Sequence, residues 1–247
     1  MSETAEHCRE LVRVHDRDRY LASLFAPVEK QQHLHALLAF NAELTRIPAL
    51  VSDAQIGEIR FQWWLDTLDG IFAGHVQDHP VAQALARAIA AAQLPQAPLE
   101  NLVKARTAEL YDEVISSLHD LEGYLGETQS ALIQLSAQIL AGEAAIQSSE
   151  AAGLGGVAYG LAEILADQPR RQAFIPKDME ISSLRNHAEK RLQEARKLLP
   201  TIDPKAMPAF LHVALTSSVL KRSETNKSIG PLRRQWIIWR AAKRGGF

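Results

Sequence analysis

The sequence predicts an all-α protein built from about ten mostly antiparallel helices. Apolar residues recur at i, i+3 and i+4 through most of the chain, which is the period of a helix with one buried face. Long runs such as residues 81–93, VAQALARAIAAAQ, consist of strong helix formers. No alternating strand pattern of useful length occurs. We expect one domain over residues 1–247 and leave open whether residues 1–14 are mobile.

Each predicted helix has its own boundary signal. Pro27 ends the second helix, a long third helix reaches Val51 with Pro48 disturbing its last turn, and Ser52 or Asp53 caps the fourth. Later helices begin at prolines or serines and end near glycine or proline. The predicted helices cover about residues 3–14, 16–25, 28–51, 54–70, 80–93, 98–114, 120–140, 150–167, 182–199, 204–222 and 231–243.

One predicted helix contains four glycines, Gly153, Gly155, Gly156 and Gly160. A glycine inside a helix costs about 1 kcal/mol relative to alanine. We therefore expect close packing of neighbouring backbones, or a ligand, at these positions.

Composition excludes several functional classes. The formal charge of -2 lacks the basic excess of a nucleic-acid binder. Cys8 is the only cysteine, so an intrachain disulfide or a cysteine-based metal cluster is impossible. The charged first twenty residues resemble neither a secretory signal nor an organelle leader, and no window has the length and polarity of a spanning helix. We expect a cytoplasmic protein, at most peripheral at the inner membrane.

Sequence motifs of common enzymes are missing. The nine histidines are scattered without an HExxH, and no P-loop, GxSxG or dinucleotide fingerprint occurs. Glu163 and Asp167 form an acidic pair at i, i+4 that could face a metal-bound diphosphate. The alternative is a solvated acidic helix edge. In the earlier helix, Glu43 is the only acidic residue of the segment 40–50.

Five segments spread along the chain carry a family resemblance: RYLASLFAP, HALLAFNAEL, HPVAQAL, ETQSALIQLSAQILAG and AYGLAEILAD. Through them the chain resembles the squalene/phytoene synthase family over nearly its whole length. FNAEL, VSDAQIGEIRFQWW and KAMPAFLHVAL are most similar to the branch that contains a mitochondrial complex I assembly factor and its bacterial relatives. The resemblance implies an isoprenoid-synthase fold, a helical bundle around a central cavity.

In active members, two aspartate-rich motifs face each other across Mg²⁺ and prenyl diphosphate, and two such diphosphates condense head to head. By the resemblance, the acidic positions of the first motif fall on Thr45, Arg46 and Ala49, none of which is a carboxylate. At about 4 Å and an effective dielectric near 20, one unit of charge is worth about 4 kcal/mol, so an arginine there disfavours Mg²⁺.

The second motif falls on residues 163–171. Asp167 is retained, Glu163 replaces an asparagine, and Arg170 and Arg171 replace the closing acidic pair. Glu163 and Asp167 remain weak metal candidates, so Mg²⁺ is expected only if activity persists. Arg46, Arg170 and Arg171 are candidates for binding a diphosphate directly. For Arg46, an ion pair with Glu43 or Glu163 is the open alternative.

The last predicted helix interleaves aromatic and basic residues: Arg233, Arg234, Trp236, Trp239 and Arg240. This pattern suits an anionic membrane surface or an acidic partner. Alternatively, the tryptophans pack on the bundle and the basic residues are only solvated.

The resemblance implies three functional hypotheses. The first is a non-catalytic protein that assists assembly of respiratory complex I at the membrane surface, bound to a complex I subunit or assembly intermediate. The second is a prenyl-diphosphate transferase with degenerate aspartate motifs. The third is a carrier of an isoprenoid lipid without turnover.

Overall fold

The computed structural model describes residues 2–111, 115–167, 171–223 and 228–247, and no strand occurs within these ranges. The prediction of an all-α fold with about ten helices is confirmed. Twelve α-helices occur in the described residues, some of them separated by single 3₁₀ turns. Their bounds are Glu3–His15 (α1), Arg17–Ser23 (α2), Val28–Leu50 (α3), Ala54–Phe72 (α4), Pro80–Ala92 (α5), Gln96–Thr107 (α6), Leu118–Leu125 (α7), Ala131–Ala141 (α8), Ser149–Ala166 (α9), Ile181–Lys197 (α10), Thr216–Ser223 (α11) and Pro231–Arg244 (α12).

The chain divides into two compact units, Met1–Glu113 and Val114–Phe247. In the first unit, α3 is the central helix and packs against α1, α5, α4 and α6. Every residue from Leu34 to Ala42 is buried, so the expected single apolar stripe is wrong for this part of α3. The helix also continues through Pro48 to Leu50.

Helix α4 begins where the sequence predicts, because the Asp53 side chain accepts a hydrogen bond from the backbone N–H of Gln55 at 2.8 Å. Phe61, Trp64 and Leu68 are buried on one side of α4. A second apolar stripe of α4 stays exposed, with exposed fractions of 47% for Ile56, 68% for Ile59 and 37% for Trp63. The fourth helix therefore has apolar residues on two faces, and only one face is covered.

Helix α9 is the centre of the second unit. It packs against α10, α11, α8 and α7. The predicted helix at residues 120–140 consists of α7, one π-helical turn at Gly126–Ser130, and α8. A π turn inserts an extra residue into the helical ladder. Here that turn lies directly against α9.

Two of the four glycines of α9 make the close approach expected from the sequence. A Cβ added at Gly156 would lie 2.6 Å from the backbone nitrogen of Ser130, in the π turn. A Cβ at Gly160 would lie 2.9 Å from Cγ of Gln129 in the same turn. At Gly153 nothing lies within 4 Å, so that glycine is not required by packing.

The predicted helix at residues 204–222 is wrong over its first half. Two 3₁₀ segments, Met207–Ala209 and Leu211–Leu215, precede α11. Pro208 contributes no backbone N–H to a helix at this point, which favours the tighter turn. Helix α12 packs against the second 3₁₀ segment. Within the described ranges, every helix is too short or too polar to cross a bilayer.

Candidate functional site

The residues that the resemblance assigns to the first aspartate motif, Thr45, Arg46 and Ala49, lie on the last turns of α3 in the first unit. Nη1 of Arg46 is 3.3 Å from Oε1 of Glu43, and the two side chains are 33% and 25% exposed. The Thr45 hydroxyl donates to the backbone carbonyl of Asn41 at 2.8 Å. Ala49 is exposed and carries no ligand atom in its side chain. This wall therefore carries one acidic side chain, and that side chain is paired with a cation one turn away.

Two histidines near this ion pair have pKa values below the ordinary value, mainly because both are partly buried. Partial burial and the positive charge of Arg46 lower the pKa of His15, against an opposing effect of Glu43. Burial also lowers the pKa of His79, where Glu43 opposes the shift and His7 adds to it. Both histidines are therefore favoured in the neutral form near this wall.

A buried polar cluster supports α3 from the neighbouring helix α6. The side chain of Arg106 is 3% exposed, and its Nη2 donates to Oδ1 of Asn41 at 3.0 Å. Its Nη1 donates to Oε1 of Glu109 at 2.8 Å. We did not predict this cluster. The available signal was Arg106 itself, which follows buried Leu102 by four positions on α6.

The residues that the resemblance assigns to the second aspartate motif begin at the carboxyl end of α9, in the second unit. Tyr159 is buried and its hydroxyl donates to Oε1 of Glu163 at 3.1 Å. The ring of Tyr159 meets the ring of His212 edge to face, with centroids 4.7 Å apart. Glu163 is thus held by a tyrosine one turn earlier on the same helix.

Asp167 is the C-cap residue of this helix. Helix α9 ends at Ala166, and Asp167 follows it with φ -122° and ψ 43°. Its backbone N–H still donates to the carbonyl of Glu163 at 3.2 Å, one helical turn earlier. The backbone N–H of Arg171 donates to the carbonyl of Asp167 at 3.0 Å. Arg170, the other diphosphate candidate, lies outside the described residues.

The donor set does not fit the two-sided Mg²⁺ clamp that the resemblance implies. Mg²⁺ is held by carboxylate oxygens in octahedral geometry. The α3 wall offers Thr45, Arg46 and Ala49 where the clamp needs carboxylates, and its Glu43 is paired with Arg46. Among the described residues, no group of three or more His, Cys, Asp or Glu side chains is arranged to hold a metal ion.

Helix α12 presents its aromatic residues to solvent. Trp236 is 52% exposed and Trp239 is 49% exposed, so they are not buried caps of the bundle. The guanidinium of Arg240 lies over the ring of Trp236, 5.1 Å from its centroid. Arg233 is exposed, and Nε of Arg234 donates to the backbone carbonyl of Ile229 at 3.3 Å. The surface is therefore basic and aromatic at once.

The comparisons with known proteins identify the class of protein. The family model described as squalene/phytoene synthase matches residues 12–179, and the chain belongs to this family. A dehydrosqualene synthase crystal structure is 18% identical and covers 98% of this chain and 96% of its own, with a TM-score of 0.80. A squalene synthase from Alicyclobacillus acidocaldarius is 19% identical and covers 90% and 94%, with a TM-score of 0.74. The isoprenoid-synthase fold is confirmed.

Curated relatives with higher identity carry another description. The chain is 31% identical to "NADH dehydrogenase (ubiquinone) complex I, assembly factor 6" from Bos taurus, over 90% of this chain and 74% of the relative. The Homo sapiens protein of the same description is 31% identical over 89% and 73%. The homologue from Drosophila melanogaster is 29% identical over 88% and 75%. The chain is thus a synthase-like protein whose similar relatives include complex I assembly factors.

Proposed function

We propose that this protein acts in the assembly of respiratory complex I as a non-catalytic member of its family, at the membrane surface. The non-catalytic part rests on one observation, the ion pair of Arg46 with Glu43 on a wall that lacks the family's carboxylates. The complex I part rests on the relatives described as complex I assembly factor 6. A complex I subunit or assembly intermediate is therefore the proposed partner.

The charges of the α3 wall oppose the chemistry of a prenyl-diphosphate transferase. Exchanging one carboxylate for Arg46 changes the local charge by two units, and each unit at about 4 Å is worth about 4 kcal/mol at an effective dielectric of 20. Glu43 could bind Mg²⁺ only after its ion pair with Arg46 is broken. Because the α3 residues supply no free carboxylate, the only candidate metal ligands of the two motifs are the side chains of Glu163 and Asp167.

Membrane association is assigned to α12. Its exposed tryptophans supply apolar area, and its basic residues supply attraction to anionic lipid. Tryptophan prefers the membrane–water interface because its ring is apolar and its indole N–H stays hydrated. A protein placed there can meet complex I subunits as they enter the membrane.

A deletion strain of the source organism tests the assembly role. We expect its membranes to show less NADH:quinone reductase activity and less assembled complex I on native gels, with normal succinate oxidation as the control. Plasmid-borne expression of the full chain should restore both. A deletion strain with normal complex I amount and activity contradicts the proposal.

Incubation with farnesyl or geranylgeranyl diphosphate and Mg²⁺ tests the non-catalytic part. We expect no pyrophosphate release and no hydrocarbon product, with a dehydrosqualene synthase as the positive control. Release over repeated turnovers would establish the transferase alternative instead. Mass spectrometry of organic extracts from the purified protein tests the carrier alternative, which requires a stoichiometric isoprenoid lipid.

A further inference from the structure

A basic groove lies beside α12 in the second unit, with a volume of about 310 Å³. Four arginines line it: Arg196 of α10 and Arg233, Arg240 and Arg244 of α12. Trp236 and Ser218 also contribute to its wall, and no acidic side chain does. The volume lies at the low end of sites for small ligands.

The positive charge of the groove is not neutralised by acidic side chains. Across the described ranges, no Asp or Glu side chain forms an ion pair with any of the four arginines. Nε of Arg196 donates to a main-chain oxygen of Phe247 at 3.1 Å, which fixes that side chain at the edge of the groove. In the printed chain Phe247 is the last residue, so there this oxygen belongs to a carboxylate and gives Arg196 an anionic partner. The donors for a ligand therefore come from Arg233, Arg240 and Arg244 of α12. Several guanidinium donors thus remain available to an anion that enters.

The groove and the exposed apolar stripe occupy neighbouring faces of α12. Arg233, Arg240 and Arg244 recur at i, i+7 and i+11, about two and three turns apart, and so share one face. Leu232, Trp236 and Trp239 recur at i, i+4 and i+7 on the next face. Their exposed fractions are 80%, 52% and 49%. Trp236 belongs to both faces, since it lines the groove and carries Arg240 over its ring.

We propose that this groove binds the phosphate headgroup of an anionic phospholipid, while Leu232, Trp236 and Trp239 enter the interface. Guanidinium groups bind phosphate bidentately, which a scattered set of lysines does not. The apolar stripe next to the groove favours a lipid over a soluble phosphate ester, because it places apolar side chains beside the headgroup. This inference rests on the membrane-surface part of the proposed function.

Vesicle sedimentation with the full chain tests the groove directly. We expect binding to vesicles of phosphatidylcholine and phosphatidylglycerol, and little binding to phosphatidylcholine alone. The groove pair Arg240→Gln/Arg244→Gln is compared with the control pair Lys197→Gln/Lys243→Gln, which removes the same charge from exposed positions that do not line the groove. Circular dichroism and thermal unfolding verify that both pairs fold.

The groove pair should weaken vesicle binding at least tenfold more than the control pair. A basic residue near an anionic surface contributes roughly fivefold whatever its position, so equal losses would mean surface attraction alone and overturn the groove. No binding of the unmodified chain to anionic vesicles also overturns it. Tight binding of glycerol 3-phosphate without vesicle binding reassigns the groove to a free phosphate ester and overturns the lipid assignment.

The deletion strain separates this inference from the proposed function. If the two double variants lose vesicle binding equally and the deletion strain has a complex I defect, the lipid site in the groove is overturned and the proposed assembly role is not. Normal complex I in the deletion strain overturns the proposed assembly role whatever the vesicles show.

Discussion

Replacing Gly156 by alanine should destabilise the second unit, whereas the same change at Gly153 should not. The two glycines lie one turn apart on α9, so the backbone change is matched. A Cβ at position 156 meets the backbone of Ser130, 2.5 Å from its Cα and 2.6 Å from its nitrogen. A Cβ at position 153 meets nothing within 4 Å.

The size of the effect follows from three contributions. Overpacking against a backbone costs about 1–3 kcal/mol, since Ser130 cannot turn away as a flexible side chain would. The Ser130 hydroxyl donates to the carbonyl of Gly153 at 2.8 Å. A shift of Ser130 would weaken this hydrogen bond, which is worth about 1 kcal/mol. Alanine restores about 1 kcal/mol of helix propensity. Gly156→Ala should therefore lower the free energy of unfolding by about 1–3 kcal/mol.

Thermal and urea unfolding followed by circular dichroism measure the difference. For a chain of this size, 1 kcal/mol shifts Tm by roughly 2–4 °C, so we expect Gly156→Ala to lower Tm by roughly 2–12 °C. Gly153→Ala should leave Tm unchanged or raise it slightly. If Gly156→Ala is as stable as Gly153→Ala, α9 does not need glycine at position 156 and the packing argument is refuted.

Three further predictions concern the first unit. Arg106→Ala should lower the free energy of unfolding by about 3–5 kcal/mol in urea titrations, because it breaks the buried ion pair with Glu109 and removes the donor to Asn41. Lys104→Ala on the exposed side of α6 should change it by less than about 1 kcal/mol. Burial lowers the pKa of His35 to about 4, below the ordinary value of 6.5, so the unfolded chain binds the extra proton and stability falls as pH drops through this window. Lowering pH from 7 to 5 should cost about 2 kcal/mol from this group, and His35→Gln should remove that part of the pH dependence. Burial raises the pKa of Cys8 from 9.0 to about 11, so its thiolate fraction is about 100-fold lower than in the unfolded chain, and a chromogenic disulfide reagent should label the native protein at least that much more slowly.

Each of these has a contradicting result. Equal effects of the two α6 substitutions would mean that the buried arginine is not needed by its neighbours. If the stability of the His35 variant depends on pH as before, another group takes up the proton on unfolding. Fast labelling of Cys8 in the native protein would mean that α1 opens readily.

Helical periodicity predicted the elements better than it predicted their burial. It places α3 and α4 correctly, because the cap at Asp53 and the turn before it are local signals. Periodicity does not show how many other helices surround a given helix. The burial of every α3 residue from Leu34 to Ala42 and the exposed α4 stripe with Ile59 were therefore not predicted. Burial is decided by tertiary packing around each helix.

The site shows the same limit. The missing carboxylates at Thr45 and Arg46 are visible in the sequence once the family motif is aligned, and the pairing with Glu43 follows from i, i+3 spacing. The basic groove is not visible, because Arg196 reaches it from another helix, 44 positions before Arg240 in the printed sequence. Contacts between distant segments carry no local signal.

On the proposed function, this protein needs no catalysis at Glu163 and Asp167 to act in complex I assembly. Complementation of the deletion strain with Glu163→Gln/Asp167→Asn tests it most directly, because glutamine keeps an acceptor for the Tyr159 hydroxyl while both charges are lost. We expect this variant to restore NADH:quinone reductase activity as fully as the unchanged chain, with the empty plasmid as the lower reference. A variant that is folded and expressed at the same level but fails to restore activity would contradict the account.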